Sequence, residues 1–166
     1  LVSHPLAAGI TFTGSVAVGM RLVRQMAGGT WPRPCIAEMG GKNPCIVTAR
    51  ADLDDAAAGI VRSAYGMGGQ KCSALSRLYV DERVAEELVT LLKQKIADIR
   101  IGNPLERANW LGPVNNAPAY QQYQQCVLDL RNSGAVLHAG GALVLEGDCA
   151  RGYYVSPVLA EVPHSH

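Results

Sequence analysis

Glycine and proline cut this chain into short segments, and the segments alternate between two hydrophobic patterns. Of 166 residues, 18 are glycine and 9 are proline, and most of them fall between apolar stretches. Residues 8–13 read as a strand that stops at Gly14-Ser15. Ser15 can cap a helix over 16–27, with Val16, Met20, Val23 and Ala27 on its inner face. Gly28-Gly29, Pro32 and Pro34 end it. Extended segments are predicted at 35–39 and 44–47. A helix over 52–65 opens on Asp52 and turns Leu53, Ala57, Ile60, Val61 and Ala64 inward. A strand over 76–80 leads to a helix over 81–99 carrying Leu88, Leu91, Leu92 and Ile96. A long polar helix over 118–132 ends at Gly134, a strand covers 135–138, and two short strands are expected within 142–162. Strand and helix alternating in this way specify an α/β fold with a largely parallel sheet, its helices acting as crossovers.

Composition narrows the function. Fifteen basic residues against fourteen acidic ones leave a net charge of +1, so no strong field draws nucleic acid or an anionic membrane. A single Phe and an aromatic content of 5% give little surface for base stacking. No apolar run is long enough to span a bilayer. The five cysteines, at 35, 45, 72, 126 and 149, contain no CxxC pair. They favour neither a disulfide framework nor a metal site, and they suit a reducing, cytoplasmic setting. The chain opens Leu1-Val2-Ser3-His4-Pro5 and closes Pro163-His164-Ser165-His166, so it reads as an internal piece of a longer protein.

Three places offer chemistry. Cys72 follows Gly66, Gly68 and Gly69 in a loop that lets backbone approach a ligand closely. Lys71 beside it favours a nucleophilic thiolate, and the Cys72 N–H suits an oxyanion. A buried structural cysteine in a glycine-rich turn is the alternative. Glu38 ends the apolar run Cys35-Ile36-Ala37 ahead of Met39-Gly40-Gly41. Partial burial there would suit a general base; a surface carboxylate paired with Lys42 is the alternative. Gly14-Ser15, where a strand meets a helix, offers orphan N–H groups to a phosphate, or is simply a cap. Among His4, His138, His164 and His166, only His138 lies well inside the chain, and nothing marks it as a base for a Cys–His hydrolase.

Together these pieces resemble the aldehyde dehydrogenase superfamily. Ile10-Thr11-Phe12-Thr13-Gly14-Ser15, Glu38-Met39-Gly40-Gly41-Lys42-Asn43-Pro44 and Gly69-Gln70-Lys71-Cys72-Ser73-Ala74 stand in that family's order and spacing. Gly102-Asn103-Pro104, Gly112-Pro113-Val114, Gly140-Gly141 and Gly152-Tyr153-Tyr154-Val155-Ser156-Pro157 are similar to its later landmarks. The cysteine loop and the strand after it look most like 1-pyrroline-5-carboxylate (glutamate semialdehyde) dehydrogenases, although Met39 replaces the common Leu.

The resemblance implies a three-layer α/β fold, present here as a partial chain. Residues 1–40 would be the tail of a dinucleotide-binding domain, and residues 41–166 an incomplete catalytic domain. It implies Cys72 as nucleophile, Glu38 as the base that activates water, and NAD or NADP as cofactor. Gly14 and Ser15 would hold its pyrophosphate, with Gly19 and Met39 also at the cofactor. Ser73 would bind polar groups of a small-molecule aldehyde substrate. No metal, nucleic acid or membrane is implied, and a homo-oligomer is expected. The family's oxyanion-hole Asn, its ribose-binding Lys and its later Glu-containing segment are not in this sequence. A non-catalytic module retained for assembly is therefore the competing expectation.

Overall fold

The computed structural model describes residues 1–162; His164 and His166 lie outside them. The chain forms two compact units. The first comprises residues 1–42 together with 71–73, and the second comprises residues 43–70 and everything from 74 onward.

The first unit is one βαβ motif. Strand β1 (Ile10–Gly14) leads through Ser15 into helix α1 (Val16–Ala27), and strand β2 (Cys35–Met39) returns parallel to β1. Ser15 caps α1 as expected, its hydroxyl accepting from the Val18 N–H at 3.4 Å. The inner face of the helix differs from expectation. Gly19, Leu22 and Met26 are buried, whereas Val16, Met20 and Ala27 are exposed. Gly19 explains this rotation. A Cβ built there would lie 2.5 Å from Met39 Sδ and 2.9 Å from its Cγ. The missing side chain lets the helix approach β2 closely, and the line through residues 19, 22 and 26 turns inward.

The second unit holds the main core. Strand β3 (Asn43–Val47) pairs parallel with β4 (Leu75–Val80), and helices α2 (Leu53–Tyr65) and α3 (Glu82–Ala97) pack together. Val47, Ala57, Ile60, Val61, Leu88, Leu92 and Ile96 form one buried cluster, as the 3.6-residue spacing requires. Asp52 and Asp81 cap α2 and α3, accepting from the N–H groups of Asp55 and Arg83. Pro44 sits at a register shift at the start of β3, where the ladder does without its N–H.

Helix α4 (Ala117–Asn132) starts a residue earlier than predicted because Asn116 caps it, accepting from Ala119 at 2.9 Å. Beyond it, β5 (Val136–Ala139) pairs antiparallel with β6 (Leu159–Glu161). The two strands expected within 142–162 become an isolated bridge between Leu143 and Val155, a 3₁₀ turn over Gly147–Arg151, and β6. Gly147 has φ +53°, which turns the backbone out of the extended region.

The Tyr65 hydroxyl, at the end of α2, donates to the Val158 carbonyl at 2.9 Å, next to β6. Burial pushes the phenol up to about 12. The folded state thus favours the neutral, donating form. The stability this contributes is complete below the ordinary tyrosine value of about 10 and is lost as pH rises from there toward 12. Tyr65→Phe is expected to lower stability by about 1 kcal/mol at neutral pH in urea unfolding and to flatten the alkaline loss. An unchanged alkaline profile would show that the hydroxyl contributes nothing there.

Candidate active site

Parallel strands carry their ligands at their carboxyl ends, where the loops and helix starts gather. In the first unit that end is formed by two adjacent residue pairs. Thr13 stands opposite Glu38, and Gly14 opposite Met39. The carboxylate is therefore level with the penultimate residue of β1, just before α1 begins.

The pleat sorts the side chains of β2. Cys35, Ala37 and Met39 are half-buried, and Ile36 and Glu38 are exposed. Met39 faces α1, as its closeness to Gly19 shows. Glu38 consequently points to the opposite side of the sheet, the side of Thr11 and Thr13. It is exposed, not partly buried, and among the described residues no ion pair joins it to Lys42.

The first turn of α1 contains no acidic residue, and Gly14, Ser15, Val16 and Ala17 are all exposed at its start. Its unused N–H groups would meet an anion with no competing carboxylate on that turn. These exposed N–H groups suit a dinucleotide pyrophosphate; Gly14 itself is required by packing, since a Cβ there would lie 2.5 Å from the Phe12 ring.

Cys72 reaches this unit from elsewhere in the sequence. Residues 71–73 group with the first unit, although the residues on both sides of them belong to the second. Glu38, Gly14, Ser15 and Cys72 thus belong to one unit, and Ser73 comes with them. Both Cys72 and Ser73 are exposed.

The approach to Cys72 is unusual. Met67, Gly68 and Gly69 have φ of +57°, +67° and +70°, three consecutive residues in the left-handed region. A Cβ on Gly69 would lie 2.9 Å from the Ala64 carbonyl oxygen. Two residues that sequence reasoning passed over hold the ends of this excursion. Gln70 accepts from the Asn115 N–H at 2.9 Å, and Asn43 donates to the Ala74 carbonyl at 3.0 Å. An amide beside each glycine-rich turn was the available signal, but the partners lie 45 and 31 residues away.

His138 belongs to the second unit and pairs there with a carboxylate. It lies on β5, with Nε2 3.1 Å from Glu161 Oε2.

A parallel βαβ unit with a helix N-terminus, a carboxylate and a thiol-bearing loop defines an α/β protein of the ligand-binding kind. The chain belongs to the aldehyde dehydrogenase family, whose model matches residues 1–166. It is 38% identical over 163 residues to 1-pyrroline-5-carboxylate dehydrogenase of Bacillus cytotoxicus, covering 96% of this chain and 31% of the relative. With the enzyme of that name from Bacillus subtilis the identity is 39%, over the same shares. Among solved structures, 1-pyrroline-5-carboxylate dehydrogenase from Thermus with bound NAD superposes with a TM-score of 0.88 at 37% identity, covering 98% of this chain and 31% of that one. An NADP-dependent enzyme from Escherichia coli gives 0.89 at 31% identity, covering 98% and 33%. The chain therefore spans about a third of the length of the relatives it matches. Among the described residues no helix is long and apolar enough to cross a membrane.

Proposed function

We propose that the full-length protein carrying this chain oxidises an aldehyde to a carboxylic acid with NAD or NADP, through a thioester on Cys72. The observation that carries this reading is the placement of residues 71–73 in the same unit as Glu38 and the start of α1. Within the whole protein, residues 1–40 are the tail of the dinucleotide-binding domain, and residues 41–166 are part of the catalytic domain.

In this reading the Cys72 thiolate adds to the aldehyde carbon and forms a thiohemiacetal. The Cys72 N–H donates to the oxygen that becomes negative. A nicotinamide dinucleotide held at the start of α1 would supply the acceptor for the hydride that leaves this carbon with its electron pair. The carbon is then a thioester on Sγ. Glu38 takes a proton from water, the water oxygen attacks the thioester carbon, and the C–S bond breaks to release the acid and the thiolate.

Gly14 and Ser15 hold the pyrophosphate at the start of α1. Gly19 and Met39 pack together and set how closely that helix lies on the sheet, which fixes where its N–H groups stand. The named relatives point to 1-pyrroline-5-carboxylate, through its open form glutamate semialdehyde, as substrate. In this reading Ser73 binds its polar groups. A cytoplasmic homo-oligomer acting in proline catabolism completes the reading.

The test is Glu38→Gln in the full-length protein with glutamate semialdehyde and each dinucleotide. Steady-state turnover is expected to fall about 10²- to 10³-fold, because the amide cannot take the proton from water. The first turnover should survive as a rapid burst of reduced cofactor. Loss of burst and turnover together would remove Glu38 from deacylation. A full-length wild-type protein that reduces neither cofactor with any aldehyde would favour the non-catalytic module instead.

A further inference from the structure

The loop before Cys72 turns left-handed at three successive residues, and one of them is a methionine. L-residues resist that region because Cβ crowds the carbonyl oxygen, so the turn needs bonds that hold it. Gln70 makes them. Its own N–H donates to the Met67 carbonyl at 3.2 Å, and its side-chain Nε2 donates to the same oxygen at 2.9 Å. Its Oε1 accepts from the Asn115 N–H at 2.9 Å, just ahead of the Asn116 cap of α4. One amide thus grips the strained turn with one end and the start of a long helix with the other.

We infer that Gln70 is a positioning residue that fixes the direction in which the chain leaves the turn and so aims Cys72, two residues on. The inference rests on the proposed nucleophilic role of Cys72. Gln70 is exposed, so removing its two side-chain bonds costs little folding stability. What changes is the spread of directions open to residues 71–73. A nucleophile loses rate steeply when its geometry loosens by fractions of an ångström.

The test uses the full-length protein and the Gln70→Met variant, which keeps the length and lacks both side-chain bonds. The rate constant of the first-turnover burst is expected to fall about 10- to 100-fold, with the aldehyde KM changed less than about threefold. Burst amplitude and thermal midpoint should stay at wild-type values, because a partly unfolded population lowers amplitude, not rate. Gln70→Glu keeps an oxygen for the Asn115 N–H and should recover part of the rate. Asn115→Pro removes that N–H donor and also fixes φ at 115, so it carries the test if Gln70→Met does not fold, provided its thermal midpoint stays at the wild-type value. Wild-type burst rates in whichever of these variants folds would overturn the positioning role while leaving the thioester chemistry standing. A wild-type protein with no burst at all would instead sink the proposed function on which the inference rests.

Discussion

Cys72→Ser in the full-length protein is expected to lower dinucleotide-linked aldehyde oxidation by about 10⁴-fold or more. A thiol at neutral pH supplies a fraction of thiolate, a soft and strong nucleophile, whereas a serine hydroxyl at the same pH is almost wholly protonated. Serine also needs a base in contact to act, and in the proposed mechanism Glu38 is kept for the later water-activation step. The substitution changes one atom on an exposed side chain, so thermal stability should hold within about 1 kcal/mol. Absorbance of the reduced cofactor reports activity, and thermal melting reports folding. Turnover within tenfold of wild type would remove Cys72 from the chemistry.

Gly140→Ala carries the largest expected cost in stability. Gly140 follows β5 with φ +74°, where a side chain already costs about 1–2 kcal/mol. A Cβ there would overlap the Pro157 carbonyl oxygen and lie 2.6 Å from its carbon and 3.2 Å from Val158 Cα. These are backbone atoms, so no rotamer relieves the overlap. Either the segment before β6 moves, with the Tyr65 bond to Val158 and the β5–β6 ladder, or Gly140 changes conformation. The expected loss is more than about 4 kcal/mol in urea unfolding. Gly141→Ala is the control. Its φ is +82°, but its new Cβ would meet nothing closer than 3.4 Å, so it should lose only the left-handed penalty. Equal midpoints for the two variants would show that Pro157 yields without cost.

Much of this protein is local, and local features were legible. The spacing of Ala57, Ile60 and Val61, and of Leu88, Leu92 and Ile96, identified faces that do form the core. Ser15, Asp52 and Asp81 cap where a short polar acceptor ahead of an apolar helix should. The ordered motifs pointed to the family that the comparisons show. The inner face of α1 was misjudged because apolar spacing fits two adjacent stripes. What decides between them is the close approach of Met39 at Gly19, a contact 20 residues away in sequence. The region after 142 was misread for a similar reason. Short apolar runs among glycines fit strands and turns alike until partners are known.

Residue identity alone marked where α1, α2 and α3 start, the apolar faces of α2 and α3, and that a thiol and a carboxylate stand in motifs 34 positions apart. These follow from side-chain chemistry and the periods of helix and strand, which neighbours within a few residues determine. Only the tertiary structure decided that Glu38 faces away from α1, that residues 71–73 join the unit of β1 and β2, and that Gln70 spans a left-handed turn and a distant N–H. Those facts depend on strand pairing and on contacts tens of residues apart. Such contacts form only when the burial of a shared core repays the entropy of closing the intervening loops.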